Sequence, residues 1–378
     1  MVSKLPNTGT TIFTKMSALA NEYSAVNLSQ GFPNFPISEE LKSFVKEGLD
    51  LEQVQYAPLA GRPDLLAAIG NKISAQHGIK IDAKSEITVT AGATQAIYSA
   101  ISCLINEGEE VILFDPSYDC YSPTVIYNKG IPVHLKLKVP SFRINWNEVE
   151  DRVNKNTRLI IVNNPHNPCG SVWTEEDIRA LENLLEKHPQ LYVLSDEVYE
   201  HIQFQGTHQS VLKSELIRSR SFVTYSFGKT FHVTGWKTGY CVAPKEMTIE
   251  FRKHHQFNVF CVNNTMQYAL AKYLKSDLDW TEIARSYKRR KELFLAALTD
   301  SRFNLLPCDG TYFCLMDYSS ISKESDVAFT ERLVKENGIA LIPISVFYGD
   351  GTDNNLVRVC FAKDNETLTR GAELLCKI

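Results

Sequence analysis

Three runs of apolar, β-prone residues, each followed by polar residues, decide the fold of this chain. They are RLIIVN (158–163) before NPHNP (164–168), LYVLSD (191–196) before EVYEH (197–201), and FVTYS (222–226) before FGKT (227–230). Short apolar runs bounded by turn-forming residues predict buried strands. Parallel strands of one sheet end at the same edge, so we expect the polar residues that follow them to lie close together.

The same alternation continues along the chain and predicts an α/β domain with a mostly parallel sheet. The predicted strands are EITVT (86–90), EVILF (110–114), VHLKL (133–137), RLIIVN (158–163), LYVLSD (191–196), FVTYS (222–226) and GYCVA (239–243). Helical patterns lie between many of them, such as TQAIYSAISCLINE (94–107) and TEEDIRALENLLEKH (174–188). The second helix begins with Thr174 followed by Asp177, a spacing typical of a capped start.

The pattern changes after about residue 245, where longer helical patterns precede shorter strand-like runs such as GIALIP (338–343) and LVRVCF (356–361). We therefore expect a large domain formed by residues 40–275, with a seven-stranded sheet, and a smaller α+β domain formed by residues 1–39 and 276–378. A chain of 378 residues is long enough for two domains and for a core that needs no metal or disulfide.

Composition and charge exclude several classes of protein. The 40 Lys and Arg residues against 44 Asp and Glu give a net charge of -4, which argues against a nucleic-acid or anionic-membrane binder. The nine cysteines form no C-x-x-C pair, so neither a zinc site nor a redox motif is indicated. Reduced cysteines, the lack of a signal-peptide core and the lack of a long apolar stretch predict a cytoplasmic protein.

Asn167 and Lys229 follow two of the three quoted strands, and Asp196 ends the third. They are separated by 29 and 33 residues, about one βαβ unit each. Each one alone has an ordinary explanation: Asn167 as a turn former, Asp196 as a helix N-cap and Lys229 as a surface charge. FGKT does not complete a P-loop, because the first glycine of that motif would fall at Val223. The three residues together, in this order along the chain, indicate a catalytic site at one edge of the sheet.

The motifs NNPHNP (163–168), SDEVY (195–199) and SFGKTFHVTGWKTGY (226–240) resemble those of class I aminotransferases of the pyridoxal-phosphate fold-type I superfamily. The resemblance also includes NLSQGFPNFP (27–36), QYAPLAGRPDL (55–65), TAGATQAIYSAI (90–101), FDPSYDCY (114–121) and VRVCFAK (357–363). It covers nearly the whole chain and is closest to the branch of methionine and kynurenine (glutamine) aminotransferases. It implies a fold-type I transferase that moves amino groups between α-amino acids and α-keto acids.

The cofactor implied by the resemblance is pyridoxal 5'-phosphate, which withdraws electrons from the substrate Cα once a lysine amine has bonded its aldehyde. Lys229 matches that lysine and would afterwards carry the Cα proton. Asp196 would keep the pyridine nitrogen protonated, because a buried carboxylate raises the pKa of that nitrogen. Asn167 and Tyr199 would donate hydrogen bonds to the phenolic oxygen.

The cofactor phosphate needs donors and positive charge, and the resemblance supplies both. The backbone N–H groups of Ala93 and Thr94 lie at a predicted helix start, which suits a phosphate. Ser226 would add a hydroxyl and Lys237 a cation, at a position where many relatives outside this branch carry arginine. Tyr118 would stack on the cofactor ring, although a lone aromatic residue is more often part of a core.

Arg358 lies inside an apolar run, and a buried charge there needs a partner. A carboxylate of the protein could pair with it, but the resemblance implies a fork that grips the substrate α-carboxylate, with Asn167 and the backbone at Gly31 beside it. Aromatic residues are expected to form the pocket for the substrate side chain: Phe13, Phe257 and Phe347. Such a lining favours methionine and aromatic donors over aspartate.

The resemblance further implies a homodimer with shared active sites, in which Tyr56 of one subunit reaches the phosphate of the other. Two alternatives stay open from sequence. One is C–S β-lysis on the same framework, which pyruvate release from cystathionine would reveal. The other is a non-catalytic regulator. Such a regulator needs a DNA-binding module ahead of this domain, whereas the family pattern of this chain begins within the first dozen residues.

Overall fold

The strands that end at Asn163, Asp196 and Ser226 lie side by side in the middle of a seven-stranded sheet. The computed structural model describes residues 2–6 and 8–378. The strands of this range are β1 (Val26–Asn27), β2 (Ile87–Thr90), β3 (Glu110–Asp115), β4 (Ile131–Lys136), β5 (Thr157–Asn163), β6 (Tyr192–Asp196), β7 (Ser221–Ser226), β8 (Gly239–Val242), β9 (Asn304–Leu305), β10 (Phe313–Asp317), β11 (Ile339–Ala340), β12 (Ile342–Pro343) and β13 (Leu356–Cys360).

Helices cover the sheets and connect the strands. They are α1 (Ile12–Glu22), α2 (Glu39–Asp50), α3 (Pro63–His77), α4 (Ala83–Glu86), α5 (Ala93–Leu104), α6 (Tyr121–Tyr127), α7 (Trp146–Arg152), α8 (Glu175–Lys187), α9 (Glu215–Arg218), α10 (Phe227–Thr230), α11 (Lys245–Asn258), α12 (Asn264–Tyr273), α13 (Trp280–Ala297), α14 (Asp326–Asn337) and α15 (Asn365–Leu375). Helix α8 begins as predicted, since the Asp177 carboxylate accepts from the Thr174 backbone N–H at 2.8 Å.

The large sheet has the order β2-β8-β7-β6-β5-β3-β4 and is parallel except for β8, which is antiparallel to both of its neighbours. All seven predicted strands are found in it, and the predicted α/β class with a mostly parallel sheet is confirmed. The last five residues of β5 are buried, as expected for a parallel strand covered on both faces. The helix predicted over 94–107 ends at Leu104, because Ile105 is extended.

Two smaller sheets contain the other six strands of the described residues. The order β12-β13-β10-β9 forms an antiparallel sheet, and β1 pairs in parallel with β11. The GIALIP run thus divides between two sheets, since β11 pairs with β1 while β12 pairs with β13. The β1–β11 pairing joins the N-terminal segment to the C-terminal part of the chain. The proposed boundaries at residues 39 and 275 stay a prediction.

Candidate active site

The register of the large sheet explains why distant residues meet at one edge. Asn163 lies opposite Asp196, at the ends of the parallel strands β5 and β6. The antiparallel strand β8 begins at Gly239, which lies between Ser226 at the end of β7 and Thr90 at the end of β2. The segments that follow these strands therefore share one edge, where α/β sheets bind ligands.

A cavity at this edge contains most of the predicted site residues. Those that line it are Phe13, Gly31, Ala93, Thr94, Tyr118, Asn167, Asp196, Tyr199, Ser226, Lys229, Lys237 and Arg358. Three predicted residues are not among the lining residues: Tyr56, Phe257 and Phe347. The cavity therefore brings together residues from both the N-terminal and the C-terminal parts of the chain.

Lys229 lies in the short helix α10, directly after β7. Its Nζ donates to the Tyr312 Oη at 3.0 Å and to the Gly31 carbonyl at 3.3 Å. Burial lowers the pKa of the amine to about 8. About a tenth of this amine is therefore neutral at pH 7, far more than for an ordinary solvated lysine, and a neutral amine is a nucleophile.

Asp196 is a buried carboxylate whose hydrogen-bond donors are uncharged. The Tyr121 hydroxyl donates to Oδ2 at 2.6 Å, and weaker contacts come from the Thr224 hydroxyl at 3.5 Å and the Val198 N–H at 3.4 Å. Burial raises the pKa of this carboxyl to about 6, although these hydrogen bonds and Lys229 act against the shift. A cation that enters the cavity beside Asp196 would stabilise its ionised form.

Arg358 is a buried cation without an ion-pair partner among the described residues. One guanidinium nitrogen donates to the Asn167 Oδ1 at 3.0 Å and the other to the Ser29 carbonyl at 3.2 Å, while its Nε has no partner. The guanidinium carbon lies 3.8 Å from the ring centroid of Phe313. Burial lowers the pKa of Arg358. Such an arrangement favours an anion from outside the chain.

The start of α5 lies against the start of β8. A Cβ at Gly239 would lie 2.4 Å from the Tyr225 carbonyl oxygen and 3.1 Å from the Ala93 nitrogen, so only glycine fits there. Gly92, the N-cap of α5, has φ +77°, which also favours glycine. A Cβ at Gly92 would contact the Lys237 Nζ at 3.4 Å. A helix N-terminus and an ammonium group thus meet at one end of the cavity, which suits an anion such as phosphate.

The three residues outside the lining differ from one another. Phe347 is buried and lies behind the cavity, with its ring centroid 5.9 Å from that of Phe13 and 5.5 Å from the Arg358 guanidinium carbon. Tyr56 is 82% exposed and contacts only the ring of Phe260 among the aromatic residues. Phe257 is 87% exposed and lies beside a different surface cavity, with Tyr98 and Asn128. Neither Tyr56 nor Phe257 joins the cavity of its own chain.

Sequence reasoning missed several residues that contact the predicted ones. Tyr312 contacts Lys229, Tyr121 contacts Asp196 and Phe313 lies against Arg358. Tyr121 belongs to the quoted FDPSYDCY motif, so its position after β3 was available as a signal. Tyr312 and Phe313 belong to an apolar run with no polar neighbour pattern, and no local signal distinguishes them from core residues.

The site fits a flat, anionic, nitrogen-containing group better than a metal ion. It offers a nucleophilic amine, a buried carboxylate that lacks a cation, and an anion site at the start of α5. The described residues contain no cluster of His, Cys, Asp or Glu suited to a metal.

Within residues 2–6 and 8–378, no helix has both the length and the apolar character needed to cross a membrane.

Comparison with known proteins gives one family. The family described as aminotransferase class I and II matches residues 23–375. The methionine aminotransferase of Escherichia coli is 46% identical, over 99% of this chain and 97% of its own length. The kynurenine–oxoglutarate transaminase of Dictyostelium discoideum is 32% identical, over 98% and 94%. A crystal structure from Escherichia coli, described with a methionine aminotransferase function, has a TM-score of 0.97 at 45% identity and covers 100% of this chain and 99% of that one.

Proposed function

This chain belongs to the class I and II aminotransferases and is an aminotransferase; from that premise we propose that it moves the amino group of methionine and of other large uncharged or aromatic L-amino acids to an α-keto acid. We further propose that it uses pyridoxal 5'-phosphate and acts in the cytoplasm. The observation that carries the proposal is the cavity in which Lys229, Asp196 and Arg358 meet.

The charges of the cavity match those of the proposed cofactor. When bound, pyridoxal phosphate supplies an electron sink for the charge that develops at the substrate Cα. Lys229 would hold it covalently, and Asp196 would hold the proton on its pyridine nitrogen. Asn167 and Tyr199 would donate to its phenolic oxygen. Tyr118 would pack against its ring.

The phosphate of the cofactor would lie at the start of α5. The N–H groups of Ala93 and Thr94 would donate to it, since they lie in the first turn of that helix. Ser226 would add a hydroxyl, and Lys237 would neutralise part of the charge as a single-point cation.

The unpaired guanidinium of Arg358 would grip the substrate α-carboxylate. Its two terminal nitrogens now donate to neutral oxygens of Asn167 and Ser29, which are weaker acceptors than a carboxylate. The side-chain amide of Asn167 would keep Arg358 aligned, and Gly31 would allow the backbone to approach the same carboxylate.

The side-chain pocket is proposed from Phe13 and Phe347, which lie together beside Arg358. The cations that line the cavity are Lys229, Lys237 and Arg358, and each already has a proposed role. No cation of the described lining is thus left for the side-chain carboxylate of aspartate. Phe257 is exposed in its own chain, so its predicted contact with substrate would have to come from a second subunit.

A panel of amino donors against several keto acids tests this proposal. We expect methionine and an aromatic amino acid to be good donors and aspartate to be a poor one. Each methylene in an apolar pocket is worth only about 1–3 kcal/mol, so the preference should be broad. Aspartate as the donor with the highest kcat/KM would contradict the assignment of the pocket. Pyruvate release from cystathionine, measured in the same panel, would reveal C–S β-lysis.

We also propose a homodimer whose subunits share their active sites. The exposed ring of Tyr56 supports this, because an 82% exposed tyrosine in a family motif is available to a second copy. Mixing an inactive Tyr56 variant with an inactive Lys229 variant should restore part of the activity, since one hybrid site would contain both residues. Verified heterodimers without recovered activity would contradict the sharing of sites.

A further inference from the structure

Tyr312 is a completely buried residue directly before β10, and its hydroxyl lies against the Lys229 amine. The Tyr312 Oη lies 2.7 Å from the Gly31 carbonyl oxygen and 3.0 Å from the Lys229 Nζ. A carbonyl oxygen accepts only, so the single hydroxyl proton is donated to Gly31. The oxygen of Tyr312 is therefore left to accept from Lys229.

The backbone on both sides of Gly31 is held by a second lysine. Lys363, which is buried, donates to the Phe32 carbonyl at 2.8 Å and to the Gln30 carbonyl at 3.3 Å. The carbonyls on either side of Gly31 are thus directed to Lys363, and the Gly31 carbonyl is directed to Tyr312 and Lys229. The direction of the hydroxyl proton is consequently fixed by the backbone.

Lys229 then donates its N–H groups to two oxygens, the hydroxyl oxygen of Tyr312 and the carbonyl oxygen of Gly31. An amine that donates to two fixed acceptors has its lone pair directed away from both of them. The lone pair of Lys229, which lines the cavity, is therefore not turned toward either oxygen.

We propose that Tyr312 is a positioning residue that holds the Lys229 amine, whenever that amine is free, in the orientation from which it takes up and returns the substrate Cα proton. The proton transfer in this inference rests on the proposed function, whereas the contact between Tyr312 and Lys229 involves only residues of the protein. Tyr312 acts through Lys229 and carries no proton of the substrate.

The first test uses cofactor-free protein and measures the titration of Lys229, from the pH dependence of its acetylation followed by mass spectrometry. An ammonium N–H is a stronger donor than an amine N–H, so the Tyr312 oxygen favours the charged form. Tyr312→Phe removes only the hydroxyl, and we expect the titration midpoint to fall by about one pH unit, a tenfold change in the dissociation constant. The other groups that act on the amine are unchanged in this variant: Cys360, Arg358, Lys237 and Asp196.

Tyr287→Phe is the matched control. Tyr287 is also completely buried, its ring centroid lies 5.5 Å from that of Tyr312, and its hydroxyl has no hydrogen-bond partner among the described residues. We expect this variant to titrate and react like the unaltered enzyme. Equal changes in both variants would show that Tyr312 acts through packing and would overturn the proposal.

The second test measures turnover of methionine carrying deuterium at Cα. A misplaced base slows proton transfer, so Tyr312→Phe should lower kcat by about tenfold to a hundredfold, with KM changed less than about twofold. The deuterium isotope effect on kcat should increase in Tyr312→Phe and stay constant in Tyr287→Phe. An unchanged isotope effect together with an unchanged Lys229 midpoint would overturn the proposal. Absence of transamination in the unaltered enzyme would contradict the proposed function instead. The Lys229 titration would still show whether the Tyr312 hydroxyl acts on the amine.

Discussion

Two groups of buried charges lie on either side of Ser226, and they are neutralised in different ways. In the paired cluster, the Lys72 Nζ lies 2.6 Å from the Glu200 carboxylate and 3.0 Å from the Tyr240 hydroxyl. In the cavity, Asp196 has only uncharged donors and Arg358 only uncharged acceptors. Asp196 and Glu200 are four residues apart in one segment, yet only Glu200 is paired with a cation.

The pKa values show the same difference. Burial opposes the ionisation of Glu200, but Lys72 and His201 outweigh it and hold the pKa of that carboxyl far below its usual range. Asp196 is as deeply buried, and the pKa of its carboxyl is raised to about 6. A buried charge whose partner belongs to the protein destabilises the fold when that partner is removed, whereas a charge without one is available to a ligand.

Lys229→Ala should have the largest effect, because it removes the amine that would bond the cofactor. We expect transamination to fall by roughly four to six powers of ten, as when a covalent catalyst is removed. The variant should bind the cofactor only non-covalently and lose the yellow absorbance of the lysine-bound form. Near-normal turnover in this variant would contradict the assignment of the amine.

Asp196→Asn tests the buried carboxylate whose hydrogen-bond donors are all uncharged. An amide has nearly the same shape but cannot hold a proton on the pyridine nitrogen by charge, so activity should fall by about a hundredfold to a thousandfold. The fold and much of the cofactor binding should persist, as measured by thermal unfolding and by absorbance. Normal steady-state rates would remove Asp196 from the mechanism.

Arg358→Met and Lys72→Met make the comparison directly, since each replaces a buried cation by a thioether side chain. Arg358→Met should lower kcat/KM by about a hundredfold to a thousandfold, because the α-carboxylate loses its partner. Its free energy of unfolding should change by no more than about 1 kcal/mol, because the loss of the hydrogen bonds and of the contact with the Phe313 ring is offset by the removal of an unpaired buried charge.

Lys72→Met should do the reverse. It leaves Glu200 buried without its lysine and with only His201 as a cationic neighbour, which costs about 3–5 kcal/mol of folding free energy, measured by urea unfolding. At a temperature where the variant is folded, kcat/KM should stay within about threefold of the original value. If the two variants lose stability and activity in the same proportion, the distinction between buried charges with an ion-pair partner and those without one is wrong.

The smallest effect is the pH dependence of cofactor capture by the cofactor-free protein. Only the neutral amine of Lys229 can react, so the rate should rise about tenfold per pH unit below a pKa of about 8 and level off above it. Stopped-flow absorbance measures this rate. A rate that still rises steeply at pH 10 would indicate an amine with an ordinary, solvated pKa.

The sequence predicted the elements well because their signals are local. The seven strands of the large sheet follow from apolar runs, and the cap of α8 follows from Thr174 and Asp177. The residues after strands were expected to meet, because parallel strands end at the same edge. Asn167, Asp196 and Lys229 indeed line one cavity.

What the sequence could not predict depends on contacts between distant residues. The hydroxyl of Tyr312 meets an amine 83 residues earlier in the chain, and nothing in TYFCLMD (311–317) distinguishes this tyrosine from the buried residues around it. The exposure of Tyr56 and Phe257 likewise depends on the shape of the surface, which no local pattern records. Their roles in a second subunit stay predictions.

The contact between Arg358 and the Ser29 carbonyl spans 329 residues, and this separation has a consequence for synthesis on the ribosome. At about 5–20 residues per second, the strand that carries Arg358 leaves the ribosome roughly 15–65 seconds after Ser29. Lys363, which holds Gln30 and Phe32, emerges later still. A nascent chain can therefore form its large sheet before the segment around Gly31 meets its partners in the C-terminal part of the chain, and the enzyme becomes competent only when its last strand is complete.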